Sequence, residues 1–148
     1  MNPTELKNLI NDSTPFVPPV TEGIVVKVYD GDTFTLVSKL PYDSSPMYRF
    51  SVRINRIDCP EIKGKSIEEK DCAKLAKQCV TDLILGKQVF LQNVSTDKYG
   101  RILADVFSSD GINIGEHLIN CRLAVQYDGG TKNSPINWIE YYNGGNKK

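Results

Sequence analysis

From Gly23 onward the apolar positions first recur every second residue. Ile24, Val26 and Val28 alternate with Val25, Lys27 and Tyr29, the period of a strand. Asp30-Gly31 is a tight-turn signal, and Thr33-Phe34-Thr35-Leu36-Val37 predicts a second strand rich in β-formers. After a loop from Pro41 to Pro46, Tyr48, Phe50, Val52 and Ile54 alternate with Arg49, Ser51, Arg53 and Asn55. This third strand runs directly into Ile57-Asp58-Cys59-Pro60-Glu61. The period then changes to that of a helix. Ser66 with Glu69 fits a capping box, Cys72, Leu75, Ala76, Cys79, Val80, Leu83 and Ile84 share one stripe, and Gly86 supplies the stop. Two more strands follow, over 87–94 and 102–107, separated by Ser95 to Arg101. Asn113 with Glu116 predicts a second helix start, carrying Leu118 and Ile119, and Ser134 to Tyr142 suits a short terminal helix.

Three strands, a helix, two strands and a helix suit a small closed sheet better than alternating α/β winding. The expected fold is therefore α+β, mainly β: a five-stranded OB-type barrel with two to three packed helices. It occupies residues 23–143. Residues 1–22 read as an appendage, a short helix capped by Asn2 followed by the Pro-rich connector Thr14 to Pro19. A helix this short is marginal unless docked. Residues 144–148 read as a loose tail.

Composition adds mainly exclusions. Lysine plus arginine equal aspartate plus glutamate at 18 each, which argues against a non-specific nucleic-acid coat but leaves room for a focused basic cleft. Residues 1–10 hold no apolar core of signal-peptide length and no stretch approaches a membrane span, so a soluble, intracellular protein is expected, and separately a monomer. Cys59, Cys72, Cys79 and Cys121 show no CxxC pairing and read as free thiols, Cys72 and Cys79 as core residues on their helix stripe. With His117 they match no common zinc-finger or ribbon spacing.

The candidate chemistry lies at three strand ends: Asp30 to Thr33, Arg53 to Glu61, and Asp97 to Arg101. Charges leave water only when paired or metal-bound, so these groups face an anion, a cation or each other. Asp32 and Asp58 are hard oxygen donors suited to Ca²⁺, with Mg²⁺ not distinguished. Arg53 and Arg101 suit bidentate contact with a phosphodiester, Glu61 suits activation of water, and Lys98 and Tyr99 suit a neighbouring phosphate. Each piece also has an ordinary reading. Asp-Gly is most often only a hairpin turn, Arg53 with either carboxylate is a structural ion pair, and Lys98-Tyr99-Gly100 is a loop with Gly100 at positive φ. Their joint occurrence in this order is what distinguishes the chain.

Val28 to Thr33, Arg53 to Glu61 and Thr96-Asp97-Lys98-Tyr99-Gly100-Arg101 together resemble the staphylococcal nuclease (thermonuclease) family, over about Gly23 to Val125. The resemblance implies an OB-fold barrel that hydrolyses DNA or RNA with Ca²⁺ and leaves 3′-phosphate ends. It places Asp32 and Asp58 as calcium carboxylates and Cys59 at a position whose backbone carbonyl binds the ion. Arg53 and Arg101 take the places of the two phosphate-stabilising arginines, Glu61 that of the general base, and Lys98 and Tyr99 those of substrate-phosphate contacts. Cys59 stands where the best-known member has a threonine, and of the base-side tyrosines only Tyr127 lies near a matching place. The same barrel also serves as a non-catalytic nucleic-acid- or protein-binding module, which is the competing expectation.

Overall fold

The computed structural model describes residues 1–130 and 132–146; Lys147 and Lys148, the end of the segment read as a loose tail, lie outside the described residues. Helix α1 (Pro3–Asp12) begins where Asn2 accepts a hydrogen bond from the Glu5 amide, and none of its residues is buried. It stands as a formed but undocked helix. Strands β1 (Glu22–Asp30), β2 (Thr33–Lys39) and β3 (Met47–Ile54) form an antiparallel meander. After the two-residue strand β4 (Ile57–Asp58) come helix α2 (Ile67–Ile84), strands β5 (Gln88–Thr96) and β6 (Ile102–Ser108), and helix α3 (Ile114–Asn120). A second two-residue strand, β7 (Val125–Gln126), and helix α4 (Trp138–Tyr142) complete the order. The barrel closes in the order β1-β2-β3-β6-β5, with β5 returning to β1. The expected five-stranded barrel is present.

Phe34, Leu36, Val52, Ile54, Val89, Ile102, Ala104 and Val106 fill its interior, each almost wholly removed from water. Removing such side chains from water is the main force that closes the sheet. Helix α2 covers one opening with Ala76, Val80 and Ile84, and α3 adds Ile114 and Leu118. Helix α4 seats Trp138 and Tyr141 on Cys72 and Val125, a smaller cluster beside the main core. Gly145 donates to the Glu140 carbonyl, and its own carbonyl accepts from Arg122, so the chain just past α4 is tied back to the body.

The strict alternation expected in β1 does not hold. Val25 and Val28 are buried, while Ile24 and Val26 are exposed, because the β1–β2 register shifts between Val25 and Lys27. The extra residue of such a bulge changes which side chains face inward. The stripe on α2 likewise loses Leu75 to solvent and gains Ala73. The terminal helix starts at Trp138 rather than Ser134, with Asn137 as its cap. The capping box is made only in part: Ser66 Oγ accepts from the Glu69 amide at 3.0 Å, but the Glu69 carboxylate accepts from the Glu61 amide at 2.9 Å. Glu69 therefore ties the start of α2 to the loop that carries Glu61.

Candidate active site

Barrel closure brings the three chemical segments together. Thr33 lies opposite Arg53 across β2 and β3, and the Ile54 amide donates to the Asp32 carbonyl. The parallel pairing of β3 with β6 sets Arg53 beside Leu103, which delivers Arg101, just before β6, to the same end of the barrel. Strand β4 pairs with β7, holding Asp58 opposite Val125 and bringing Tyr127 within reach of Arg53. A cavity of about 280 Å³ results, lined by Asp30, Asp32, Arg53, Asp58, Glu61 and Arg101 among others.

The carboxylates form its floor. Asp30, Asp32 and Asp58 retain only 8%, 7% and 3% of their surface. Asp32 is held by three donors: the Cys59 amide at 3.1 Å, the Thr33 hydroxyl at 3.1 Å and Arg53 Nη2 at 3.5 Å. Arg53 Nη2 also lies 3.6 Å from Asp58 Oδ1, and its Nη1 donates to the Ile54 and Ile57 carbonyls at 2.8 and 3.0 Å. This guanidinium is the pin of the site. Asp58 receives further donors from the loop after β7, with Ser134 Oγ at 3.3 Å and Lys132 Nζ at 3.5 Å.

The electrostatics record how crowded these acids are. Burial, then the neighbouring Asp32 charge, pushes the Asp30 carboxyl up to about 7. Burial also raises Asp58, with the Asp32 charge adding to it and Lys132 and Arg53 opposing. Asp32 and Asp58 thus share one largely buried guanidinium, Asp58 also meets a half-exposed lysine, and Asp30 has no cation partner among the described residues. Hard oxygen donors with unbalanced negative charge are the donor set that a divalent cation such as Ca²⁺ takes, so Asp32 and Asp58 fit the ion expected of them. Asp30 joins them; its own side chain accepts from the Asp32 amide at 3.2 Å. The sequence places Asp30 in one of the three chemical segments but gives it no ligand role of its own.

Cys59 lies behind this floor. Its side chain is 2% exposed, and a Cβ added at Gly31 would meet Cys59 Sγ at 2.9 Å, so the thiol faces the core and leaves only the backbone for the cavity. Burial, then the Asp32, Asp30 and Asp58 charges, pushes the thiol well above the ordinary range and keeps it protonated. Glu61 is at the rim, its Oε1 accepting from Lys132 Nζ at 3.0 Å. Lys132 and Ser134 escaped sequence reasoning because they sit in a loop without periodicity, 71 and 76 residues from the acids they touch.

Arg101 is oriented from its own loop. Asp97 accepts from Arg101 Nε at 2.7 Å and from the Arg101 and Tyr99 amides at 2.9 Å each. Both Nη groups of Arg101 are left without a protein partner among the described residues. Lys98 and Tyr99 do not line the acidic cavity. They stand on an adjoining open groove with Arg56, Tyr127 and Lys132, and that groove shares Arg53 and Arg101 with the cavity. Tyr99 is 72% exposed, with Lys98 and Arg101 over its ring at 5.2 and 5.6 Å, and Arg53 lies 5.7 Å from the Tyr127 ring. Among the described residues no helix is long and apolar enough to cross a membrane.

Comparison with known proteins gives the same direction. A protein from Escherichia coli named an uncharacterized endonuclease is 32% identical over 106 residues, covering 72% of this chain and 61% of that protein. One from Haemophilus influenzae with the same name is 32% identical over 103 residues, covering 70% of this chain and 51% of that protein. The chain thus spans between half and two thirds of the length of these relatives. Residues 51–140, which include Arg53, Asp58, Glu61 and Arg101, match the family described as staphylococcal nuclease homologue, and the chain belongs to that family.

Proposed function

We propose that this chain is a calcium-dependent phosphodiesterase that hydrolyses DNA or RNA with little sequence preference. The observation that carries the reading is the meeting of buried oxygen donors, two arginines and a rim glutamate around one cavity. Membership of the nuclease family and the names of the relatives support it.

Asp32 and Asp58, with the Cys59 carbonyl, would hold the ion. Bound there, Ca²⁺ would polarise a non-bridging phosphate oxygen and offset its charge. Arg101 presents its free Nη pair to two phosphate oxygens, a geometry the planar guanidinium favours. Arg53 contributes positive charge from the cavity wall. As charge builds on the phosphorus-bound oxygens, such fixed donors stabilise the transition state more than the ground state. Glu61 accepts a proton from the attacking water as its oxygen bonds to phosphorus. The bond from phosphorus to the 5′ oxygen breaks, that oxygen takes a proton from solvent to leave as a hydroxyl, and a 3′-phosphate remains. A well-placed general base contributes about 10²–10⁴-fold. Lys98 and Tyr99 hold the neighbouring phosphate in the groove, and Tyr127 offers a ring face to a base.

The test is cleavage of end-labelled single- and double-stranded DNA and RNA with Ca²⁺ or with chelator. Calcium-dependent products bearing 3′-phosphates are expected, with Arg101→Ala slower by about 10²-fold or more. Tight binding without turnover above the Arg101→Ala background, indifferent to Ca²⁺, would instead establish a binding module.

A further inference from the structure

Away from the acidic cavity, two helices bring three soft ligands together. Cys79 on α2 faces His117 on α3 and Cys121 at its C-cap, and the ligand atoms of all three lie within 4.8 Å of one another. Cys121 Sγ is 3.6 Å from His117 Nε2. Each of the three is half-buried, so an ion has both a protein wall and an approach from solvent. We propose that Cys79, His117 and Cys121 bind a Zn²⁺ ion, with a water molecule as the fourth ligand.

The geometry needs little change. Zinc bonds of about 2.3 Å to sulfur and about 2.0 Å to nitrogen put tetrahedral ligand atoms about 3.5–3.8 Å apart. The cluster reaches that spacing by a contraction of at most about 1.3 Å, within the range of side-chain rotation about the same backbones. His117 and Cys121 are four residues apart at the end of one helix, where i and i+4 side chains share a face. Cys79 comes from a helix 38 residues upstream of His117, which is why the linear spacing shows no finger or ribbon. Two thiolates and a neutral imidazole balance a dication, and their softness selects zinc over calcium. The two metal sites would therefore sort by chemistry, hard oxygens in the cavity and sulfur with nitrogen between the helices.

Such an ion would clamp α2 to α3. Helix α3 also supplies Gly115, Glu116 and Ile119 to the wall of the open groove, so the clamp would fix one side of it.

The experiment titrates the full chain, reduced with a non-thiol reductant and stripped of metal, with Co²⁺ and follows the absorption spectrum. Thiolate-to-cobalt charge transfer and tetrahedral d–d bands should saturate at one equivalent and vanish on adding Zn²⁺. Zn²⁺ should also raise the melting temperature of the same sample. Cys79→Ser, Cys121→Ser and His117→Gln should each weaken Co²⁺ binding by more than about tenfold, while Cys72→Ser leaves the spectrum unchanged. A wild-type spectrum without sulfur charge transfer overturns the site, whether or not any variant folds. So does a tetrahedral spectrum that survives in Cys121→Ser, or a Cys79–Cys121 disulfide that forms in air with equimolar Zn²⁺ present. None of these readings depends on nuclease activity.

Discussion

Lys132 sets the balance of the cavity more directly than its position in a loop implies. Its ammonium lies between Asp58 Oδ1 and Glu61 Oε1, at 3.5 and 3.0 Å, where it competes with any cation for the same oxygens. Partial burial lowers its affinity for a proton, but the bond to Glu61 and the charge of Asp58 prevail and hold it above the ordinary lysine range. Two unit charges about 4 Å apart interact by about 1 kcal/mol even with the full screening of bulk water. At the proposed calcium site Lys132→Ala should therefore tighten binding by at least about fivefold, measured by titration calorimetry, and unchanged affinity would show that Lys132 swings clear. Asp97 offers a test of pH. Its partial burial raises the carboxyl, but bonds from Arg101 and Tyr99 outweigh this and leave it below the ordinary aspartate value. A depressed folded-state value adds stability that is full above the unfolded value, near 3.8, and fades as pH falls through the folded one. Asp97→Asn should thus destabilise the protein by about 1–2 kcal/mol at neutral pH. The gap from wild type should close below about pH 4 in urea melts across pH.

At the scale of elements, Gly31 shows how a correct turn reading can miss its cause. Asp-Gly suggests glycine chosen for backbone freedom, yet Gly31 is absent from the positive-φ residues. What requires it is space: a Cβ there would lie 2.8 Å from Ala76 Cβ and 2.9 Å from Cys59 Sγ. The turn between β1 and β2 is pressed onto α2 and onto the strand exit, and this holds Asp30 and Asp32 over Asp58. Gly31→Ala should cost about 1–3 kcal/mol by overpacking, seen as a lower urea midpoint with unchanged slope, and should weaken calcium binding because both aspartates move. The barrel strands and the groups at their ends were legible because periodicity and turn chemistry both mark them. Asp32, Arg53, Asp58, Glu61 and Arg101 could be named from sequence and lie on one cavity. Strands β4 and β7 were not, since two residues carry no period. Lys132 and the Cys79–His117–Cys121 cluster were beyond reach for another reason: their contacts join distant segments, and only tertiary packing makes them neighbours.

For the whole molecule, zero net charge constrains how the proposed nucleic-acid substrate would be bound. Most cations on the groove are already matched: Arg53 by Asp32 and Asp58, Arg56 by Asp105 at 3.4 Å, Arg101 by Asp97, and Lys132 by Glu61 and Asp58. Lys98 has no ion-pair partner among the described residues and rests over the Tyr99 ring. Each phosphate neutralised on duplex DNA contributes about −0.9 to the slope of log K against log salt. With two to four phosphates held, the slope should be about −2 to −4, far shallower than for a basic coat. Fluorescence anisotropy in chelator, where turnover is suppressed, reads it directly. Lys98→Ala should make the slope shallower by about 0.9 while leaving the fold intact, because its side chain is exposed. A wild-type slope near −8 would mean that binding is driven by a surface other than this groove. A wild-type slope in the expected range that Lys98→Ala leaves unchanged would remove Lys98 from the phosphate path and shift the contact to Tyr99 and Arg101.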